Sequence, residues 1–240
     1  MATNKVVVAG SDVTASQLKD FFRQIEDGSI NGGILQAVLD HRDPKETPIV
    51  ARPVLVPLGD AEAQLAEWRA LYQEYGTELG EISIPARQAG FDRLIVVAAG
   101  LTNNQVYDWC KAKFGCWRYQ ADLDSITNER DTTKSYAIWI RERVEADEEN
   151  KNLSANQLKK KKVNGITLLE RLLYELKYFA ETGKHLDISN WTLCSGSRHS
   201  DGLVPDVDWH SVDRKMSVRW YYPDSAHDSL RARSVVSLPA

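Results

Sequence analysis

Two segments near the end of the chain, Val204 to His210 and Met216 to Tyr222, alternate apolar and polar residues with period two, and this pattern narrows the possible folds most. Val207 and Trp209 alternate with Asp206, Asp208 and His210. Met216, Val218 and Trp220 alternate with Ser217, Arg219 and Tyr221. Successive strand side chains point to opposite faces, so each segment reads as a half-buried strand. Ser211-Val212-Asp213-Arg214-Lys215 between them is short enough for a hairpin loop. The Val and Trp rows are expected to face the core and the Asp, His, Arg and Tyr rows a ligand. Tyr221-Tyr222-Pro223-Asp224-Ser225-Ala226-His227-Asp228-Ser229 continues the mixture of rings and small polar groups. Antibody paratopes use this composition, because rigid amphipathic rings supply contact area while small polar groups adapt.

Three stretches extend the pattern: Gly196-Ser-Arg-His-Ser-Asp-Gly-Leu-Val-Pro-Asp-Val-Asp-Trp209, Val218-Arg-Trp220, and Leu230-Arg-Ala-Arg233-Ser-Val-Val236. Together they resemble the C-terminal variable region of the target proteins of diversity-generating retroelements. That resemblance implies a C-type-lectin fold displaying residues randomised by a reverse transcriptase that errs at template adenines. It also implies a codon rule. A mutated AAC or AAT codon yields Asp, Ser, Tyr, His, Arg, Leu, Ala or Gly among others, but never Trp, Met, Lys, Glu or Gln. Every residue in the ligand-facing rows belongs to the reachable set, whereas Trp209, Lys215, Met216 and Trp220 fall on the inward rows or in the loop. No Asn follows Asn190. The resemblance spans about residues 84–236, with the variable region at 197–233. The chain lacks the paired disulfides and the Glu-Pro-Asn calcium signature of sugar-binding lectins, so metal-dependent carbohydrate binding is not expected.

Elsewhere the chain reads as ordinary α+β. Phe91 to Gly100 is an apolar strand, after which Thr102 caps a helix through Val106, Trp109, Cys110 and Phe114, with Gly115 as its C-terminal glycine. Ser135 to Ile140 is a further strand. Thr167 and Glu170 have capping-box spacing before the stripe Leu168, Leu169, Leu172, Leu173, Leu176 and Phe179, and Gly183 ends that helix. Trp191 to Cys194 is expected to join the sheet of the hairpin. Lys5 to Ala9 reads as a strand, Ser11 or Thr14 as the cap of a helix through Leu18, Phe21, Phe22 and Ile25, and Ala61 to Tyr75 as a helix. The expected architecture is therefore a small N-terminal helical and extended segment, 1–83, and a C-type-lectin-like domain, 84–240. That domain would contain mixed, mainly antiparallel sheets and two helices.

Composition excludes several functions. With 42% hydrophobic and 27% charged residues the chain is neither disordered nor membrane-spanning, and no apolar run approaches the ~18 residues of a spanning helix. Met1 to Gly10 lacks the apolar stretch of a signal peptide, which leads us to expect cytoplasmic synthesis with display on a particle or cell surface left open. Net charge of -4 gives no drive toward nucleic acid, and Lys159 to Lys162 read as a solvated run. Three cysteines, Cys110, Cys116 and Cys194, suit inert thiols better than a disulfide framework or zinc site. Arg141 to Glu149 reads as surface ion pairs rather than a metal site.

The expected function is recognition of a protein or other macromolecular ligand, without covalent chemistry, cofactor or metal. The ligand-facing residues are His199, Asp206, Asp208, His210, Arg219, Tyr221, Tyr222, Asp224, Ser225, His227, Asp228 and Ser229. An alternative is a phage- or virus-derived structural or receptor-binding subunit using the same surface for attachment. A hydrolytic Ser-His-Asp set can be assembled from these residues, but catalysis needs a nucleophile held by a rigid surround, and these positions are the exchangeable ones.

Overall fold

A computed structural model describes residues 5–8, 11–14 and 61–238. The chain divides into two compact units, 1–54 and 55–240. In the first, strand β1 (Lys5–Val8) pairs antiparallel with β2 (Ser11–Thr14). Ser11 and Thr14 thus lie in a strand, where a helix cap was expected, because Val6 and Val13 sit opposite each other in the ladder. The expected helix through Leu18 to Ile25 lies outside the described residues.

The second unit begins earlier than the boundary at residue 84 that the sequence suggested. Helix α1 (Ala61–Glu74) docks on the free edge of strand β3 (Arg93–Val97) and supplies hydrogen bonds that a neighbouring strand would otherwise make. Gln64 accepts from Leu94 N at 2.8 Å, Trp68 Nε1 donates to Leu94 O at 2.9 Å, and Tyr72 Oη donates to Val96 O at 2.7 Å. Buried backbone polar groups must be paired, so removing α1 would leave that edge unsatisfied. Trp68 and Tyr72 are buried in the same core as β3.

Helix α2 (Asn103–Lys113) follows, with the Thr102 side chain accepting from Gln105 N as expected. Its last residue leads into extended backbone at Phe114, so Gly115 does not form a left-handed cap. A Cβ on Gly115 would lie 2.5 Å from Arg214 O; the glycine permits close approach of the hairpin loop. Strand β4 (Cys116–Arg118) then pairs parallel with the hairpin, β5 (Thr127–Asn128) pairs with a later short strand, and β6 (Tyr136–Ile140) pairs antiparallel with β3. Val236 returns to bridge Trp139 at the other edge of β6.

Short helix α3 (Ala155–Lys160) and long helix α4 (Leu168–Thr182) follow, and both begin with capping boxes. Gly183 closes α4 with φ 65°, the left-handed conformation that glycine accommodates without a Cβ penalty. The helix is buried almost all round, beyond its leucine stripe, and Glu170, Arg171 and Glu175 are fully enclosed. Each has partners. Arg130 forks onto Glu170, which also caps Thr167 N at 2.8 Å. Arg171 bonds Glu175 and Asp187, and Arg233 bonds Asp187 at 2.7 Å.

The remaining strands are β7 (Trp191–Leu193), β8 (Ser197–Arg198), β9 (Val204–His210), β10 (Lys215–Tyr221) and β11 (Leu230–Arg231). Four of these join β4 in one sheet in the order β11-β7-β9-β10-β4, mixed in direction, while β8 pairs with β5. The described chain is therefore mixed α+β, with several antiparallel and mixed sheets and few helices. Among the described residues no helix is long and apolar enough to cross a membrane. The Arg141 to Glu149 stretch forms ion pairs, Arg141 with Asp147 at 2.5 Å and Arg143 with Glu149 at 2.6 Å, although Asp147 is buried rather than exposed.

Candidate functional site

The β9-β10 hairpin forms and separates two faces, but Lys215, expected in the loop, is the first residue of β10 and pairs with His210, so the loop is shorter by one residue. Met216 lies opposite Trp209, Val218 opposite Val207 and Trp220 opposite Pro205, and this row packs on the main core. The other row places Arg219 opposite Asp206, Ser217 opposite Asp208, Tyr221 opposite Val204 and Lys215 opposite His210. Cross-strand neighbours sit close enough for their side chains to interact directly.

This second face is not uniformly open. At one end Ala155 and Leu158 of α3 pack with Leu193, Val204 and Leu230 of the sheet and with Ala232 in a second core, and Trp191 and Tyr221 pack against it. Asp206 and Asp208 are buried, at 0% and 3% exposure, where solvent-facing carboxylates were expected. The sequence pattern distinguishes two faces but cannot reveal that α3 packs at one end of the outer one. Arg219 Nη2 donates to Asp208 at 2.7 Å and to Asp206 at 3.2 Å. Burial pushes the Asp206 carboxyl up to about 7 even though the Arg219 charge opposes the shift, and burial raises Asp208 as well. Asp206 Oδ1 has no hydrogen-bond partner among the described residues.

Aromatic rings surround this charge cluster. The Arg219 guanidinium lies 4.9 Å from the Trp191 ring centroid, a cation-π arrangement. Tyr221 stacks on Trp191 at 6.0 Å, and His227 meets Trp191 edge-on at 4.7 Å. His227 Nε2 is 3.1 Å from Tyr221 Oη. Burial lowers the His227 pKa and raises that of Tyr221. Tyr222 beyond them is 74% exposed.

The other expected site residues disperse. His199 packs on Trp220 at 5.5 Å, on the side of the inward row, with Nδ1 2.8 Å from Asp201. It is not brought together with Arg219 and Tyr221. His210 is exposed at the hairpin end, 3.1 Å from Asp213. Within the loop after β10, Asp224 accepts from Asn156 Nδ2 at 2.6 Å, Ser225 N donates to Tyr222 O, and Ser229 O accepts from Trp191 N at 2.8 Å. Asp224 and Asp228 remain exposed, while Ser225 and Ser229 are half-buried. At the far end of the 197–233 stretch, Arg233 is buried under the sheet and bonds Asp187 and the carbonyls of Arg143 and Val144.

Three aromatic residues at this face were not identified from sequence. Trp191 lies in β7. Trp117, 44% exposed, pairs across to Ser217 and belongs to the same face, and Tyr119, 72% exposed, contacts it edge-on at 6.3 Å. The alternation Cys116-Trp117-Arg118-Tyr119 after Gly115 was the available signal, but three strand residues are too few for periodicity to register.

Comparison with protein-family models, curated proteins and solved structures finds no match. The geometry provides a rigid sheet face, packed by α3 at one end, with charge and rings at its centre. The three thiols are free, and burial raises the thiol pKa of Cys110 and Cys194 well above the usual range and that of Cys116 to about 12, disfavouring the nucleophilic thiolate.

Proposed function

We propose that this chain is a ligand-binding protein that recognises a protein or other macromolecule through the face of the β9-β10 hairpin bearing Arg219, Tyr221, Tyr222 and His227, without covalent chemistry. The observation that carries the reading is the division of the hairpin into a core-packed row, Val207, Met216, Val218 and the partly buried Trp209 and Trp220, and an opposite row around the half-exposed Arg219. Such a division allows surface residues to change while the scaffold remains. Asp206 and Asp208 act as a floor that orients Arg219 rather than as direct ligand contacts. Trp117 and Tyr119 extend the surface as exposed rings of the kind enriched in binding hot spots.

Within this proposal the scaffold is a C-type-lectin-like domain and the chain is a retroelement target protein. The codon pattern of residues 197–233 supports that reading, with the exception of Lys215, an excluded type that lies in the outer row opposite His210. Sequencing the DNA beside the gene tests it: a reverse-transcriptase gene and an adenine-rich near-copy of those codons are expected. Differences between copy and gene should spare Trp209, Trp220 and Pro205. Differences spread evenly over both strand faces, or no near-copy, would overturn the retroelement reading and leave ligand binding to be tested by itself.

A further inference from the structure

The end of the hairpin face next to the loop that follows β10 carries four carboxylates, two of them buried, and α3 beside that loop brings the exposed Lys159 and Lys160. Asp206 and Asp208 share one cation, Arg219, whose side chain is 32% exposed. Asp224 and Asp228 stand exposed on the loop that carries Tyr222 and His227, and among the described residues neither has an ion-pair partner within 4.0 Å. Asp224 instead accepts a neutral bond from Asn156, which leaves its charge uncompensated. Asp206 Oδ1, on a side chain with no exposure, has no donor among the described residues. Trp191, Tyr221 and His227 form a mutually contacting ring group, and Trp191 already holds one guanidinium against its face.

We infer that the partner of this face presents a basic segment, with Lys or Arg side chains meeting Tyr222, Asp224 and Asp228 beside the Trp191 ring group. Carboxylates attract such a segment over a distance set by ionic strength, and aromatic faces hold ammonium and guanidinium groups at short range. Arg219 over Trp191 is an internal example of the contact. An acidic partner meeting Tyr222 would instead face the exposed carboxylates of Asp224 and Asp228, and like charges brought together across an interface are unfavourable. This inference rests on the proposed recognition face and specifies the chemistry of its partner.

The test uses the full chain with hexalysine and hexaglutamate peptides as probes, followed by tryptophan fluorescence and by the indole NMR signal of Trp191. At low ionic strength hexalysine should bind and shift the Trp191 signal, whereas hexaglutamate should not. The double variant Asp224→Asn with Asp228→Asn should weaken hexalysine binding by about tenfold or more, and Tyr222→Ser should weaken it by several fold. Glu62→Gln with Glu78→Gln removes the same charge from exposed positions in the first turn of α1 and beyond its end, and should change binding less than twofold. Equal weakening by the two double variants would assign binding to net charge alone and overturn the inference. So would tighter binding of hexaglutamate, or absence of hexalysine binding. Those results leave the recognition face intact as a proposal with different ligand chemistry, because the adjacent-DNA test does not depend on them.

Discussion

Arg219 reaches across the hairpin to hold Asp208 at 2.7 Å and its direct cross-strand partner Asp206 at 3.2 Å, so a single partly exposed guanidinium serves two buried carboxylates. Removing a buried group's partner costs more than the pair contributes, because the remaining charge stays desolvated. Arg219→Ala should therefore destabilise the fold by about 1 to 3 kcal/mol, a figure reduced for the solvent reaching Arg219. Urea unfolding checks it, and the loss should be greater at pH 8 than at pH 5.5, where Asp206 is protonated. A change below about 0.5 kcal/mol at both pH values would place the cluster among ordinary surface contacts.

Asp206 also makes stability depend on pH in the direction opposite to an ion-paired surface carboxylate. Its folded pKa, about 7, lies above the unfolded value of 3.8. Between these values the folded chain binds the extra proton, so stability falls as pH rises from about 4 to about 7 and levels off above. Asp206→Asn removes that slope. The difference in unfolding free energy between wild type and variant, measured from pH 4.5 to pH 8, should change steadily in favour of the variant. A flat difference would show that Asp206 ionises normally in the folded state.

Burial predicts different responses from neighbouring rings. Trp220 packs against the main core, so Trp220→Ala should cost about 2 to 4 kcal/mol, somewhat below the range for a fully buried tryptophan. Tyr222, at 74% exposure, should change stability by no more than about 0.5 kcal/mol when replaced by Ala. Thermal unfolding distinguishes them, and equal losses would make Tyr222 part of the scaffold.

Asp187 accepts from Arg171 and Arg233 beneath the sheet, and all three are buried. Asp187→Ala would leave two desolvated guanidinium groups, with Glu175 holding only Arg171. A loss of about 3 to 5 kcal/mol is expected by chemical denaturation. Near-wild-type stability would mean that solvent reaches the cluster.

Gly115→Ala should cost about 1 to 3 kcal/mol, because the new methyl would lie 2.5 Å from Arg214 O and force the hairpin loop away from β4. Tolerance of alanine there, judged by melting temperature, would show that the loop moves freely.

The sequence alone determined those features whose physics is local. Thr167 and Glu170 form the capping box because both partners lie within one turn, and Gly183 ends α4 because a left-handed residue is needed there. The alternation of Val207 and Trp209 with Asp206 and Asp208 placed the two hairpin faces correctly, since a strand turns its side chains with period two. Tertiary structure alone decided what lies over those faces. Leu158 of α3 packs on Leu193, Val204 and Leu230 of three strands at one end of the outer row, and Asp206 and Asp208, expected contacts, are buried. His199 and Arg219 read alike in sequence yet fall on opposite sides of the sheet, and α1 joined the domain through the edge of β3. Periodicity records which way a side chain points, whereas burial depends on which distant segment packs against it.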